Sequence, residues 1–499
     1  MKLIKIRTIF AIFTSKLTIK LLRLFKLGGT TLPGKIALKL SPSILTELSS
    51  NLDVIIVVTG TNGKTTTCRM ISQIFDEENI DFFTNKSGAN LTSGILTTLI
   101  ENSSLSATFI KKTALFEVDE AAFGKIAGKI NPHFVLVTNF FRDQLDRFGE
   151  LYTTVQTVKD GINSSKDPTL IINANDSLSV SIAKDTNKNV VYYGLSSNLE
   201  IPKDNLETSD ANFCIYCKTK YSYDYKIFGH LGGFRCENCN FKSPSPNLEC
   251  SKIEELTDKH SKIEITLHKT PQDYKQSPTT AETLNRKLNL YMYHLSNVDI
   301  PTQYETLHAK INLPGIYNIY NALSASALST LLNIHSDKIS KGLETFKCGF
   351  GRMETITVDN KNINLVLVKN PTGFNQVLSF LLSTQQNKSI SFLINDNLAD
   401  GTDISWLWDV NFEMLTNASN LFKSFICSGK RRFDMALRLK YAGVEIDKIK
   451  IIKEYEEVIE TGLRETQDDC TFYILPTYTA LLDVRSILSK NYELKEFWR

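Results

Sequence analysis

The stretch Gly60-Thr61-Asn62-Gly63-Lys64-Thr65-Thr66-Thr67 decides how the rest of the chain is read. The β-branched run Val54–Val58 leads into it, and Thr65–Phe75 leads out, with Met70, Ile71, Ile74 and Phe75 at helical spacing. A buried strand, a glycine turn and a helix start, in that order, make a phosphate cradle. Backbone N–H groups at the helix N-terminus face the anion, and the helix dipole favours it. Gly60 and Gly63 let the backbone come close to phosphate oxygens. Lys64 has the reach for the terminal phosphates of ATP, and the Thr65 hydroxyl suits Mg²⁺. Val58 stands where the strict phosphate-loop pattern places its first glycine, so this is a shortened relative of that pattern.

Outward from the loop, short apolar runs alternate with helical stretches. Leu115–Val118, Phe134–Val137, Leu170–Ile172 and Val190–Tyr193 are buried-strand candidates, which predicts an α/β fold with a parallel sheet. Glu117 ends one such run. A carboxylate at the C-terminal edge of a parallel strand faces the loop, where it suits Mg²⁺. Asp143, Asp146 and Glu150 follow another run at spacings that share one helix face. Helical pattern returns at Tyr317–Leu332. A second α/β pattern follows Arg352, with runs at Ile363–Val368, Ile390–Ile394, Ser424–Cys427 and Thr471–Leu475. Residues 250–310 show little clear period and read as a variable insertion or peripheral strands.

Cys214-x2-Cys217 and Cys236-x2-Cys239 are separated by eighteen residues. Two such knuckles converge on one tetrahedral Zn²⁺ in closed structural sites. His230 reads as a loop histidine, because four cysteines already complete a ligand set. The other five of the nine cysteines are scattered, which fits a reduced, cytoplasmic setting rather than a disulfide framework.

The 499 residues are too many for one ordinary core, and a net charge of +3 gives no general case for nucleic-acid binding. No uncharged apolar run approaches the roughly 20 residues of a spanning helix. Residues 1–34 carry seven bases and no acid, interleaved with leucine, isoleucine and phenylalanine. Two alternatives stand for this segment. It is a helix packed on the body with solvated lysines outside, or a basic amphipathic helix in peripheral contact with the inner face of a membrane.

The order of these motifs resembles that of the Mur ligases. The resemblance rests on the loop, Glu117, Thr138-Asn139, Asn173-Ala174-Asn175-Asp176, the segment Gly315–Ala322 with Asn318 and Asn321, and Gly351-Arg352-Met353-Glu354. Within them the chain is most similar to the MurT branch, the ligase subunits of lipid II isoglutaminyl synthase. The four-cysteine insert, Lys369-Asn370-Pro371-Thr372-Gly373-Phe374-Asn375 and Asp396–Trp406 carry that narrower resemblance.

The resemblance implies a basic N-terminal segment at 1–50 and a central ATP-binding domain at 51–350. A zinc ribbon would interrupt that domain at about 207–250, and a smaller Rossmann-like α/β domain would occupy 351–499. It implies ATP-dependent amidation of the D-glutamate α-carboxylate of lipid II, through an acyl phosphate. The ammonia would come from a GatD-like glutaminase in a heterodimer. Gly60, Thr61, Asn62, Gly63, Lys64, Thr65 and Thr66 would hold the phosphates, with Mg²⁺ on Thr65 and Glu117. Asn318 and Asn321 would lie on the adenine side, and Arg352 would reach ATP when the C-terminal domain closes. Asp403 would complete the partner's cysteine–histidine pair. Gln144 departs from the histidine that related ligases carry near a second metal. Only about 50 residues precede the central domain, too few for the domain that grips the uridine diphosphate of soluble precursors, which fits a lipid-linked substrate. Two other functions fit the same scaffold. One is a folylpolyglutamate synthase-like amino-acid ligase, and the other a non-catalytic ATP-binding scaffold of a cell-wall complex.

Overall fold

The computed structural model describes residues 5–25, 30–85, 88–142, 151–199, 210–257, 259–268, 306–347, 352–358, 360–382, 388–468 and 470–492. Asp143, Gln144, Asp146 and Glu150 lie outside these residues, as does most of 250–310.

Among the described residues, strands β1 (Val54–Thr59), β2 (Phe82–Thr84), β3 (Thr113–Glu117), β4 (Phe134–Val137), β5 (Thr169–Asn173) and β6 (Val190–Leu195) join one sheet. A hairpin of β7 (Ser222–Lys226) and β8 (Gly232–Arg235) precedes β9 (Leu248–Leu256), β10 (Ser261–Leu267) and β11 (Thr306–Ile311), which complete that sheet. The order across it is β11-β10-β9-β6-β5-β4-β1-β3-β2. From β2 to β9 all neighbours are parallel, whereas β9, β10 and β11 pair antiparallel. The sheet is therefore mixed rather than purely parallel. In β10, Ser261, Ile263 and Ile265 are buried and the residues between them are more exposed. That period of two lets an edge strand face the core on one side and solvent on the other.

Alternation along β1 divides the core between two layers. Ile55 and Val57 pack with helices Thr92–Asn102 and Glu120–Ile130 on one face. Val54, Ile56 and Val58 pack with helices Lys64–Glu77 and Ile316–Leu331 on the other. Every residue of β1 is buried, because helices cover both faces.

A second sheet contains β12 (Arg352–Val358), β13 (Lys361–Val366), β14 (Lys388–Leu393), β15 (Phe422–Ser428), β16 (Ile449–Ile451) and β17 (Thr471–Pro476). Its order is β12-β13-β17-β14-β15-β16, parallel except for the β12–β13 hairpin. Apolar clusters lie on both of its faces. The sequence runs after Arg352 coincide with β13, β14, β15 and β17.

Candidate active site

The loop after β1 stands at the C-terminal edge of the first sheet, where open parallel sheets place their ligands. Gly63 has φ +87° and caps the helix Lys64–Glu77. A Cβ on Gly63 would lie 2.2 Å from Asn321 Oδ1, and one on Gly60 (φ +116°) would lie 2.5 Å from Thr138 Oγ1. Both positions therefore require glycine, for backbone angle and for space. The loop is held from β4 as well. Thr61 N donates to Asn139 O (2.8 Å), and Asn62 N donates to Asn139 Oδ1 (3.0 Å).

Lys64 is buried, and its Nζ lies 3.1 Å from Glu120 Oε2 and 3.2 Å from Thr61 O. Glu117 ends β3 in register with Val58 at the end of β1, so its backbone sits beside the start of the loop. Asn85 holds it there, accepting from Glu117 N (2.9 Å) and donating to Glu117 O (3.0 Å). Asp119 accepts from Ala121 N and Ala122 N and caps the helix Glu120–Ile130. Burial pushes the Asp119 carboxyl above its ordinary value, and the Glu120 charge adds to this against the pull of Lys64. No sequence motif marks Glu120, which stands three residues after Glu117 at the first position of the helix Glu120–Ile130.

The loop's other wall is the helix Ile316–Leu331. Asn321 Nδ2 donates to Asn318 Oδ1 (3.1 Å), and Asn318 Nδ2 donates to Pro314 O (2.7 Å). Both asparagines are buried. The second sheet also reaches the loop. Asn370 Nδ2 donates to Asn62 Oδ1 (3.0 Å), while Asn370 Oδ1 accepts from Gly373 N (2.8 Å) at the start of the helix Pro371–Leu382. Arg142 pairs with Asp409 across the same gap, at 3.4 Å. Arg352 begins β12 opposite Val366. Asp403 is half-buried, and its carboxylate accepts from Ser405 N (2.8 Å) and Ser405 Oγ (2.9 Å). Those bonds fix the turn into Ser405–Asp409. Trp406 there packs on Phe374, whereas Trp408 stays exposed against Tyr441.

The four cysteines come together. Their sulfur atoms all lie within 4.8 Å of one another, with Cys214–Cys239 at 3.5 Å and Cys217–Cys236 at 3.3 Å. A tetrahedral thiolate site has sulfur–sulfur edges of about 3.8 Å for metal–sulfur bonds of about 2.3 Å, so the cluster fits a bound ion. Hydrogen bonding from Thr219, then Asn238, holds the Cys217 thiol down to about 5. His230 is no ligand. It is fully buried, with Nε2 3.1 Å from Asp176 Oδ1, and its ring packs on Phe141. Asp176 also caps the helix Ser177–Lys184 and accepts from Phe140 N (3.0 Å). Phe141 N in turn donates to Thr61 Oγ1 (3.2 Å), so the insert is tied to the phosphate loop through three residues.

Two family descriptions match the chain: Mur ligase middle domain over residues 58–239, and MurT ligase C-terminal over residues 367–481. The lipid II isoglutaminyl synthase (glutamine-hydrolyzing) subunit MurT of Streptococcus pneumoniae R6 is 34% identical over 470 residues, 94% of each chain. The subunit of that name from Staphylococcus aureus COL is 30% identical over 485 residues, 97% of this chain and 98% of the other. Among solved structures, a pseudomurein peptide ligase type C from Methanothermus fervidus superposes with a TM-score of 0.60 at 22% identity, covering 88% of this chain and 79% of that one. MurF from Acinetobacter baumannii gives a TM-score of 0.61 at 16% identity, covering 91% and 80%. At such identities these two speak for the fold alone. The near end-to-end likeness to the MurT subunits goes further, and the chain belongs to the MurT family of Mur-ligase-type amidoligase subunits.

Proposed function

We propose that this chain is the ATP-dependent ligase subunit of a glutamine-hydrolyzing synthase that amidates the glutamate of lipid II during peptidoglycan synthesis. The likeness to the pneumococcal MurT subunit over 94% of both chains carries this conclusion, because it spans the loop, the cysteine insert and the segment around Asp403.

The chemistry runs in two displacements. The α-carboxylate of D-glutamate attacks the γ-phosphorus of ATP, and ADP leaves. Ammonia then adds to the acyl phosphate carbonyl and inorganic phosphate departs, leaving D-isoglutamine. Gly60, Thr61, Asn62, Gly63, Thr65 and Thr66 cradle the phosphates with their backbone. Lys64 draws charge from the transferring group. Thr65 and Glu117 would hold Mg²⁺, which when bound neutralises phosphate charge. Asn318 and Asn321 form the adenine-side wall, and Arg352 approaches ATP as the second sheet closes. The contact from Asn370 to Asn62 supports such closure, since it already links the second sheet to the loop. The four cysteines suit structural Zn²⁺, because a closed all-thiolate set leaves no open position for chemistry.

Ammonia is supplied by a GatD-like glutaminase in a heterodimer. Asp403 orients and stabilises the imidazole of the partner's cysteine–histidine pair. The protein acts in the cytoplasm at the inner face of the membrane, in peripheral contact through residues 1–34. Among the described residues no helix is long and apolar enough to cross a membrane. The boundaries proposed for the domains are 1–50, 51–350 with the ribbon at about 207–250, and 351–499.

The roles of Lys64 and Asp403 separate in one experiment with the glutaminase partner present. Lys64→Ala is expected to abolish amidation while glutamine hydrolysis continues. Asp403→Asn is expected to abolish glutamine-driven amidation yet leave product formation from added ammonium. Survival of amidation in Lys64→Ala would remove the ligase assignment.

A further inference from the structure

The helix Ile6–Leu24 has two apolar faces, and the body covers only one of them. At 3.6 residues per turn, Thr8, Ala11, Ile12, Ser15 and Ile19 fall on one side, and all are buried. Thr8 bonds Ser41 and Glu47 there, and Ser15 bonds Pro33 O. On the opposite side Ile6, Phe10, Phe13, Leu17, Leu21 and Leu24 fall within a sector of about 80°. All six are exposed, from 48% for Leu17 and Leu21 to 86% for Ile6. A solvated helix would carry polar residues on that side. Bases flank the stripe instead, with Arg7 along one border and Lys16, Lys20 and Arg23 along the other. The acids that pair with Lys5 and Arg23 come from the body, as Glu47 and Glu101. Residues 1–46 contain none.

We infer that this stripe is a membrane-docking face, on which the helix lies flat in an anionic phospholipid leaflet with the folded body held above it. Charge complementarity selects this occupant. A second copy would set bases against bases, whereas an anionic leaflet satisfies both the apolar sector and its cationic borders. The helix is anchored to the body through its buried face, so docking would fix the orientation of the whole protein, not only that of a tail. The inference rests on the proposed action on a lipid-linked substrate, and it adds which surface meets the lipid.

The test is cosedimentation of the full-length chain with vesicles of phosphatidylcholine alone or mixed with phosphatidylglycerol. Wild type is expected to sediment with the anionic vesicles and to be released by salt. Lys20→Glu should weaken this by more than about fivefold, the effect of one surface base. The triple variant Phe10→Ser, Phe13→Ser, Leu17→Ser should abolish it, while ATP-induced thermal stabilisation shows that both variants remain folded. With the partner present, amidation of a short-chain, water-soluble lipid II analogue should be unchanged in these variants, and amidation of vesicle-embedded lipid II should fall. Loss of both activities in wild type would count against the proposed function rather than the docking face. Equal sedimentation of wild type and the triple variant overturns the inference. So does a wild-type dimer that the triple variant dissolves, with no vesicle binding by either.

Discussion

Lys64 and Glu120 form a buried pair in a loop shaped for phosphate. Removing one member of a buried pair costs about 3–5 kcal/mol, because the remaining charge loses its counter-ion. Glu120→Ala is therefore expected to lower the melting temperature in the absence of nucleotide. ATP should restore much of the loss, since phosphate oxygens supply the missing negative charge, and differential scanning fluorimetry with and without ATP measures both. Lys64→Ala leaves the buried Glu120 carboxylate without its counter-ion, so it should lower the melting temperature as well, without rescue by ATP. It should also lose at least about 10²–10³-fold in turnover, below what an amidation assay detects, the usual effect of deleting a group that stabilises developing charge. Gly63→Ala would force a side chain into Asn321 at a left-handed φ, so nucleotide binding should fail with it. Calorimetric titration with a non-hydrolysable ATP analogue would read that loss. At this scale the loop was legible because its chemistry is local: strand, glycines, lysine and helix follow one another in the chain. Glu120 and Asn370 were not, because their roles depend on contacts across 56 and 308 residues. No periodicity reports such distances.

The elements were legible where one period dominated. Fully buried runs such as Val54–Val58 announce a central parallel strand. Residues 250–310 read as a variable insertion or peripheral strands, and β10 answers to the second alternative: Lys262-Ile263-Glu264-Ile265 alternates, and the strand lies beside the edge of the sheet. β2 and β16 are short strands of three residues each and carry too little pattern to stand out. The cysteine insert was legible from spacing alone, but its attachment through His230 and Asp176 was not. If the four cysteines hold the proposed ion, a chelator should unfold the insert, as should replacing Cys236 with serine. If the link through Phe141 to Thr61 holds, nucleotide affinity should fall along with stability, and circular dichroism with ATP titration would detect the pair of changes. The N-terminal helix makes a pH prediction. Burial raises the Glu47 carboxyl, but hydrogen bonds from Ser43 and Thr8 and the charge of Lys5 outweigh it and hold the group below its ordinary value. A depressed folded-state value gives stability that is complete above the unfolded value and lost as pH falls through the folded one. Hydrogen exchange of Ile6–Leu24 should therefore accelerate, relative to the rest of the protein, as pH is lowered below the ordinary glutamate value of about 4.3.

At the scale of the whole molecule, two sheets meet over one loop, joined there by the Asn370–Asn62 bond and the Arg142–Asp409 pair. One sheet supplies phosphate chemistry. Under the proposed function, the other would carry Asp403 toward a glutaminase partner whose product is the nucleophile. Asn370→Ala is expected to leave ATP affinity within a few-fold and to lower turnover, because it loosens closure rather than binding. The division of labour is tested most directly by following nitrogen. The purified chain and its glutaminase partner are supplied with amide-¹⁵N glutamine, ATP and lipid II, and the lipid product is analysed by mass spectrometry. The account predicts ¹⁵N in the glutamate carboxamide of lipid II, with an equimolar amount of ADP and no label in the Lys64→Ala reaction. Unlabelled lipid II despite ATP and glutamine consumption, or an added amino acid formed without glutamine, would contradict it.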